Sequence, residues 1–453
     1  MKYTYILLSI LLFSFILPNH LKVYAINSSP YSVIAELLNV PESEVPELLF
    51  NQTILLEGNK ILIPLLDESI YGGTYIDLVA NKIFINTIDI SKNGSIINNP
   101  VMKPYLNLLS FVEVNNSLSK LNEIFNQVNI LVNNFDVVNV IISNQYKVNN
   151  IVIYLDQPEL YQAFINSTKK LNPTPIIEGP NEAIKENSSS TLKSRENNSP
   201  ILESRENNSP TLESRENNSP TLESREIQLR ILSGYSIVRR EEGFRYRCTA
   251  GFWVRQQGLT YLATAGHCAL NSTDPHGSIR FFFIIPGTNR AKFFGNMTRF
   301  EVEPVDRGFI LPSDEHFESP YIYSHEIQAP MFAIADFTRT PVHFIDGTIL
   351  CKSGSTTGYS CGRVKSIIVN SVIFRDGYGK FNYTGMVEVK TRGAYGDSGS
   401  PVFSFSNQLD LSRTGVNLFG MVIGVTRDES TILFTPLYQI LDSDMDVVTI
   451  DEL

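Results

Sequence analysis

The chain predicts an all-β C-terminal half built of closed antiparallel barrels, preceded by an α+β segment and a disordered repeat linker. Three observations carry this expectation. From about Ile231 onward, short β-branched and aromatic runs are separated by Gly, Pro, Asn and Asp without helical periodicity, as in closed antiparallel sheets. From about Asn27 to Pro180, helical and strand patterns are mixed. Between the two lies a polar ten-residue repeat.

The elements follow in order. Met1-Lys2, an apolar run from Tyr5 to Leu17, Pro18 and the small-residue exit Val23-Tyr24-Ala25 read as a cleavable signal peptide, residues 1–25. The run is too short to span a bilayer, so no membrane anchor is expected. In the segment 26–185, Val33, Leu37, Leu38, Val45, Leu48 and Leu49 recur at helical spacing between Ser32 and Phe50, broken by Pro41 and Pro46. Tyr71–Asp77 followed by Asn81–Asn86 reads as a hairpin, and Val148–Leu155 as a further strand.

Residues 186–228 contain the repeat, best seen in Ser209-Pro210-Thr211-Leu212-Glu213-Ser214-Arg215-Glu216-Asn217-Asn218. Such a unit lacks the apolar surface needed to offset the entropy of ordering it, and its period is too short for a solenoid. A flexible tether is expected. Residues 229–453 carry the strand runs Phe281 to Ile285, Phe309 to Leu311, Ile367 to Phe374 and Leu418 to Val425.

At 453 residues and 43% hydrophobic composition, two globular units plus connecting matter are expected. The net charge of −10 excludes nucleic acid as the main partner and disfavours a membrane surface, because both need a basic field. No metal cluster, phosphate loop or cofactor fingerprint is present in the sequence, so no cofactor is expected.

Two short runs carry chemistry: Thr264-Ala265-Gly266-His267-Cys268 and Gly396-Asp397-Ser398-Gly399-Ser400-Pro401-Val402. A serine hydroxyl is a poor nucleophile until an imidazole takes its proton and a carboxylate fixes the imidazole's tautomer. The two runs supply the base and the nucleophile. No histidine follows Ser398, and Ser400 stands where the nucleophile elbow of the α/β-hydrolases demands glycine, so the remaining chain order is His…Asp…Ser.

With Cys248-Thr249-Ala250-Gly251-Phe252 and Cys351-Lys352-Ser353-Gly354-Ser355-Thr356-Thr357-Gly358-Tyr359-Ser360-Cys361-Gly362, these runs make the C-terminal half resemble the chymotrypsin-like serine proteases. It is most similar to the secreted bacterial branch typified by α-lytic protease and the streptogrisins. The resemblance implies two packed six-stranded antiparallel barrels with catalytic residues on both sides of a cleft. It implies Ser398 as nucleophile and His267 as general base, with an oxyanion hole made by the backbone N–H groups of Gly396 and Ser398. Asp306 is the expected third member, because Asp306-Arg307-Gly308-Phe309-Ile310 matches the family pattern at the start of a buried strand; Asp336 is the alternative. The 4 cysteines allow three pairings. The resemblance selects Cys248–Cys268 and Cys351–Cys361, each worth about 2–4 kcal/mol.

The same resemblance implies a buried Lys352–Asp397 pair shaping the oxyanion loop, in place of an amine salt bridge formed on activation. Ile231-Leu232-Ser233-Gly234, after Arg230, is similar to the mature start of the family, and residues 26–185 resemble its folding pro-region. The substrate pocket is expected at Arg392, Ile423, Gly424 and Val425. Ile423 and Val425 fill places where relatives keep serine and glycine, which narrows the pocket and removes a hydrogen bond from Asp306. Arg392, six residues before the nucleophile, argues against cleavage after Lys or Arg.

A secreted monomeric serine endopeptidase is therefore expected, acting on protein or peptide substrates, with its own pro-region as intramolecular inhibitor. The second class is a non-catalytic binding or signalling homologue with a narrowed cleft. Sequons at Asn27, Asn51, Asn93, Asn115, Asn166, Asn187, Asn271, Asn296 and Asn382 fit a glycosylating pathway. The ending Ile450-Asp451-Glu452-Leu453 lacks the basic or imidazole residue of a retention signal.

Overall fold

The computed structural model describes residues 29–180 and 230–452, apart from 242–243, 271–278, 289, 314–316, 325–330, 341–343, 376 and 407–413. The expected signal peptide and the repeat linker lie outside the described residues.

The N-terminal segment is α+β. A helix over Ser32–Leu38 ends at Asn39, whose left-handed φ of 55° closes it, and a longer helix runs over Val45–Leu62. Pro46 sits in the first turn of that helix, where the missing N–H needs no acceptor; it therefore begins a helix that the sequence pattern had it breaking. Strand β1 (Tyr71–Asp77) pairs antiparallel with β2 (Lys82–Thr87), and β3 (Leu109–Glu113) adds in parallel to β2. The helix Leu118–Asn134 is capped by Ser117, whose hydroxyl accepts from the Lys120 amide. Its buried face, Leu121, Ile124, Phe125, Val128 and Val132, shares a core with β4 (Val140–Gln145) and β5 (Asn150–Leu155), and β6 (Ile176–Glu178) follows on β5.

The C-terminal half is all-β. Its first part contains β7 (Ser236–Glu241), β8 (Phe244–Thr249), β9 (Phe252–Gln256), β10 (Leu259–Thr264), β11 (Ile279–Ile284), β12 (Ala291–Glu301) and β13 (Arg307–Pro312). The chain end returns as β22 (Met445–Val447), giving an eight-stranded sheet in the order β22-β9-β10-β13-β12-β11-β7-β8. It wraps around Trp253, Phe281, Phe283, Phe294 and Ile310.

After β14 (Tyr321–Ile322) and β15 (Phe332–Phe337), the second part holds β16 (Ile349–Gly354), β17 (Gly358–Arg375), β18 (Gly379–Lys390), β19 (Pro401–Phe405), β20 (Thr414–Val425) and β21 (Ile432–Pro436), and of these the last six make one barrel. Their pairings run β16-β17-β18-β21-β20-β19 and back to β16, a closed six-stranded antiparallel barrel filled by Leu350, Val364, Val387, Val402, Phe419 and Phe434. Of the two six-stranded barrels expected, the second is present as a closed barrel. In the first sheet β22 pairs along β9, and no pairing joins β8 to β22 among the described residues.

At 18 residues, β17 outruns the barrel, and its far end pairs antiparallel with β4 through Val369↔Ser143 and Val372↔Val140. The N-terminal segment thereby extends the barrel's sheet. Its helices also share a continuous apolar core with Phe332, Ile349, Phe403 and Leu418. Gln52 caps the backbone of Ile349, accepting from its amide at 2.7 Å and donating to its carbonyl at 3.3 Å.

One buried acid lies in this contact. Asp346 is 1% exposed and accepts from the Tyr146 amide at 2.8 Å, but its Oδ1 has no hydrogen-bond partner among the described residues. Burial raises its carboxyl well above the ordinary range, the Tyr146 amide opposes this, and Glu388 adds to it. Glu388 itself is paired with Lys365 at 2.8 Å. Because Asp346 binds a proton more readily when covered, its contribution to stability is fully present below about pH 3.9 and falls as pH rises toward the raised value. Asp346→Asn is expected to flatten that decline and to stabilise the chain at pH 7 by about 1–3 kcal/mol. Thermal unfolding between pH 4 and pH 8 checks this, and identical slopes in the two proteins would refute it.

Candidate active site

The tight turn after β10, Gly266–Ala269, carries His267. Because β10 pairs with β13 through Thr264↔Gly308, the residue just before β13 is brought beside that turn. That residue is Asp306, which is fully buried. One carboxylate oxygen accepts from the His267 amide at 2.8 Å, and the other stands 2.5 Å from His267 Nδ1. The carboxylate thus fixes both the backbone and the ring of the histidine, leaving Nε2 to face the cleft. Asp336 lies elsewhere, exposed in the strand Phe332–Phe337 with its carboxylate accepting from the Phe337 amide.

Burial lowers the basicity of His267, Asp306 opposes the fall, and Arg375 adds to it. The ring is therefore neutral, and able to accept a proton, to a lower pH than a free imidazole.

Ser398 comes from the loop before β19, and it lines the same cavity of about 360 Å3 as His267. The loop is stitched to the end of β8. The Thr249 amide donates to the Ser398 carbonyl at 2.8 Å, while the hydroxyls of Thr249 (2.8 Å) and Ser355 (2.9 Å) both donate to the Gly396 carbonyl. The Gly396 carbonyl is thus held by two hydroxyls, one from the end of β8 and one from the loop after β16. Among the described residues, neither the Gly396 nor the Ser398 N–H has a hydrogen-bond partner. Gly396 has φ +100°, a left-handed conformation, and a Cβ there would meet the Thr356 hydroxyl at 2.3 Å.

Beneath the loop, Lys352 and Asp397 form a 2.9 Å ion pair with side chains 0% and 2% exposed. Lys352 also donates to the Thr357 hydroxyl and to the Gly358 carbonyl. Asp397 accepts from the amides of Thr356 (2.9 Å), Thr357 (3.1 Å) and Ala394 (3.2 Å). Burial alone would raise Asp397, but Lys352, the Thr357 hydroxyl that donates to it and the Thr356 amide outweigh it and hold the carboxyl below its usual range. The Lys352 ammonium is pushed down by burial and partly restored by Asp397. Disulfides join Cys248 to Cys268, beside His267, and Cys351 to Cys361, across the β16–β17 pair that carries Lys352.

Ile423, Gly424 and Val425 line the cavity. Ile423 is also packed among Tyr154, Tyr383 and Leu433, so this stretch of β20 offers Asp306 no hydroxyl. Arg392, expected in the pocket, does not line it; the residue is exposed, and its carbonyl accepts from the Ser360 hydroxyl. Gly393 turns inward there instead, so close to Ile432 that a Cβ would meet its methyl at 2.5 Å.

Two features were not expected from sequence. Asn139, Ile141, Tyr154 and Asp156 of the N-terminal segment line the same cavity. Arg375, at the end of β17, reaches to 3.6 Å from Asp306. Neither has a local motif; the first depends on β17 meeting β4, and the second on where the β17–β18 hairpin ends.

No protein-family model matches the chain, and no curated protein matches it. Among solved structures, Thermobifida fusca Protease A is similar at 24% identity and TM-score 0.35, over 48% of this chain and 98% of its own. Nocardiopsis protease matches at 20% identity and TM-score 0.35, over 48% of this chain and 99% of its own. Cellulomonas bogoriensis chymotrypsin matches at 22% identity and TM-score 0.34, over 49% and 100%. These structural neighbours are chymotrypsin-like bacterial serine proteases. No helix among the described residues is long and apolar enough to cross a membrane.

Proposed function

We propose that the chain is a secreted serine endopeptidase that hydrolyses peptide bonds through an acyl-enzyme, made as a precursor whose N-terminal segment folds against the catalytic half and covers its cleft. The observation that carries this reading is the buried Asp306 carboxylate 2.5 Å from His267 Nδ1, with His267 and Ser398 lining one cavity. Such an arrangement of acid, imidazole and alcohol is the constellation that acyl transfer requires.

In this reading Ser398 Oγ attacks the scissile carbonyl as its proton passes to His267 Nε2, and Asp306 stabilises the imidazolium that forms. The developing oxyanion is met by the N–H groups of Gly396 and Ser398. His267 then gives its proton to the leaving amine, and a water repeats the sequence to release the acyl group. Coverage of the cavity by Asn139, Ile141, Tyr154 and Asp156 supports inhibition by the N-terminal segment until the chain is cut near Arg230–Ile231. Ile231 is buried there, with its N–H donating to the Phe317 carbonyl at 2.8 Å, while Arg230 is exposed.

The second reading, a non-catalytic homologue, is favoured by one observation, the apolar Ile423 in the cavity wall. Labelling with an active-site-directed fluorophosphonate separates the two. Ser398 should be modified after the N-terminal segment is removed and far more slowly before. Absence of labelling in both forms refutes the enzyme reading.

Gly396→Ala tests the oxyanion role. Its strained φ and the clash with Thr356 should turn the N–H away, raising the barrier by about 3 kcal/mol and lowering kcat on the order of 10²-fold with KM little changed. Steady-state kinetics on a peptide ester reads this out, and an unchanged kcat would exclude the role.

A further inference from the structure

Asp306 is fully buried, and two elements besides the His267 turn press on it. From the β17–β18 hairpin, the Arg375 guanidinium stands 3.6 Å from Asp306 Oδ2, the oxygen that faces His267 Nδ1. From the same hairpin comes Tyr383, 1% exposed. Its hydroxyl and Arg375 Nε lie buried without reaching hydrogen-bond geometry, yet the hydroxyl feels the charges of both Asp306 and Arg375. From β20 the nearest contribution is the hydrocarbon of Ile423, packed on Tyr383. A buried carboxylate with one neutral histidine and no other hydroxyl would be poorly compensated, and the arginine supplies the missing positive charge.

We propose that Arg375 is a positioning residue of the catalytic set, acting on His267 through Asp306. The inference rests on the reading of His267, Asp306 and Ser398 as a catalytic triad. Arg375 holds the carboxylate in place, and by sharing its charge it moderates the pull of Asp306 on the imidazole. The ring is then kept neutral further into acid, where a stronger ion pair would leave it protonated and unable to accept the serine proton.

The other charged groups are accounted for. Glu303 acts on Tyr383 from the turn before β13, and its carboxylate accepts from Asn382. Asp156 of the N-terminal segment lines the cavity and interacts with Arg427 and Asp428. The cysteines nearest His267, Cys248 and Cys268, are joined to each other and do not titrate. Arg375 pairs with Gly379 across its own hairpin, so its placement is built into the catalytic half. The N-terminal segment adds to it, since Asn139 Oδ1 accepts from the Phe374 amide at 2.9 Å.

The test is a ring titration of His267 by NMR in the full chain labelled at histidine, with the His267 signal assigned by its loss in His267→Gln. Wild type, Arg375→Lys and Arg375→Met are compared, with Arg375→Gln in place of the last if methionine impairs folding. Removing the charge should raise the His267 midpoint by about half to one pH unit, and Arg375→Lys should restore most of the wild-type value. After removal of the N-terminal segment, the acid limb of kcat/KM should move in the same direction. An unmoved midpoint in a folded Arg375→Met chain overturns the proposal. So does a variant whose only change is a higher KM for peptides with acidic side chains, which would make Arg375 a substrate contact. Should the wild type take no fluorophosphonate, the enzyme reading fails, and the ring titration still decides this coupling.

Discussion

Asp306→Asn is expected to lower kcat/KM by about 10⁴-fold at neutral pH while leaving the fold intact. An asparagine fits the space of the buried carboxylate, and its carbonyl can still accept from the His267 amide, now at 2.8 Å. Its NH2 group then faces His267 Nδ1, where a carboxylate oxygen stood at 2.5 Å. Two donors cannot share that contact, so the imidazole is driven to the tautomer with its proton on Nε2, the nitrogen that must receive the proton of Ser398. Asparagine is also neutral, so the imidazolium formed during attack loses its counter-charge while Arg375 remains 3.6 Å from the site. The measurement is kcat/KM across pH with active-site titration to count competent enzyme, alongside circular dichroism. A loss smaller than tenfold would mean that Asp306 does not orient the base. Partial recovery at high pH is expected, because a deprotonated route avoids the wrong tautomer.

Which parts of this site could be read from sequence follows from how local they are. His267 and Ser398 stand in runs whose neighbours build the turn around them: Gly266 and Cys268 for one, Gly396 and Gly399 for the other. Asp306 announces itself only through the buried strand that follows it, Gly308 to Ile310. Lys352 and Asp397 are 45 residues apart, and only the resemblance of the Cys351–Cys361 string links them. Arg375 had no such signal. It reaches Asp306 because the β17–β18 hairpin meets the residues just before β13, a non-local event that no spacing encodes. Likewise, the continuous apolar run Ile151 to Leu155 marks a strand but not its partners, and the pairing of β4 with β17 spans more than 220 residues. The eighth strand of the first sheet was not legible for a related reason: Met445–Val447 is too short to stand out, and it becomes a strand only by pairing along β9.

Lys352→Met is expected to destabilise the catalytic half strongly, because it removes one partner of a buried ion pair. The Lys352 side chain is fully buried and sends its three donors to Asp397, Thr357 and Gly358. Methionine matches the aliphatic stem but leaves Asp397 as an uncompensated charge, for which the expected penalty is about 3–5 kcal/mol. The amides of Thr356, Thr357 and Ala394 still solvate the carboxylate, which places the result toward the lower end of that range. The pH dependence discriminates this account from a simple packing loss. In the wild type the Asp397 carboxyl is held low, so its stabilising contribution is present above the ordinary carboxylate range and is lost only as pH falls through the lowered value. Without Lys352, burial dominates and the carboxyl shifts upward, so the variant's deficit should be greatest near pH 7 and shrink toward acid, where Asp397 takes up a proton. Chemical denaturation at pH 7 and pH 4.5 measures both limbs, and a deficit that does not change with pH would refute the charge argument. Adding Asp397→Asn to Lys352→Met should recover part of the loss in stability, because the buried charge is then gone from both sides. It should not recover kcat, since in the proposed mechanism the Lys352–Asp397 pair positions the loop whose Gly396 and Ser398 N–H groups meet the oxyanion.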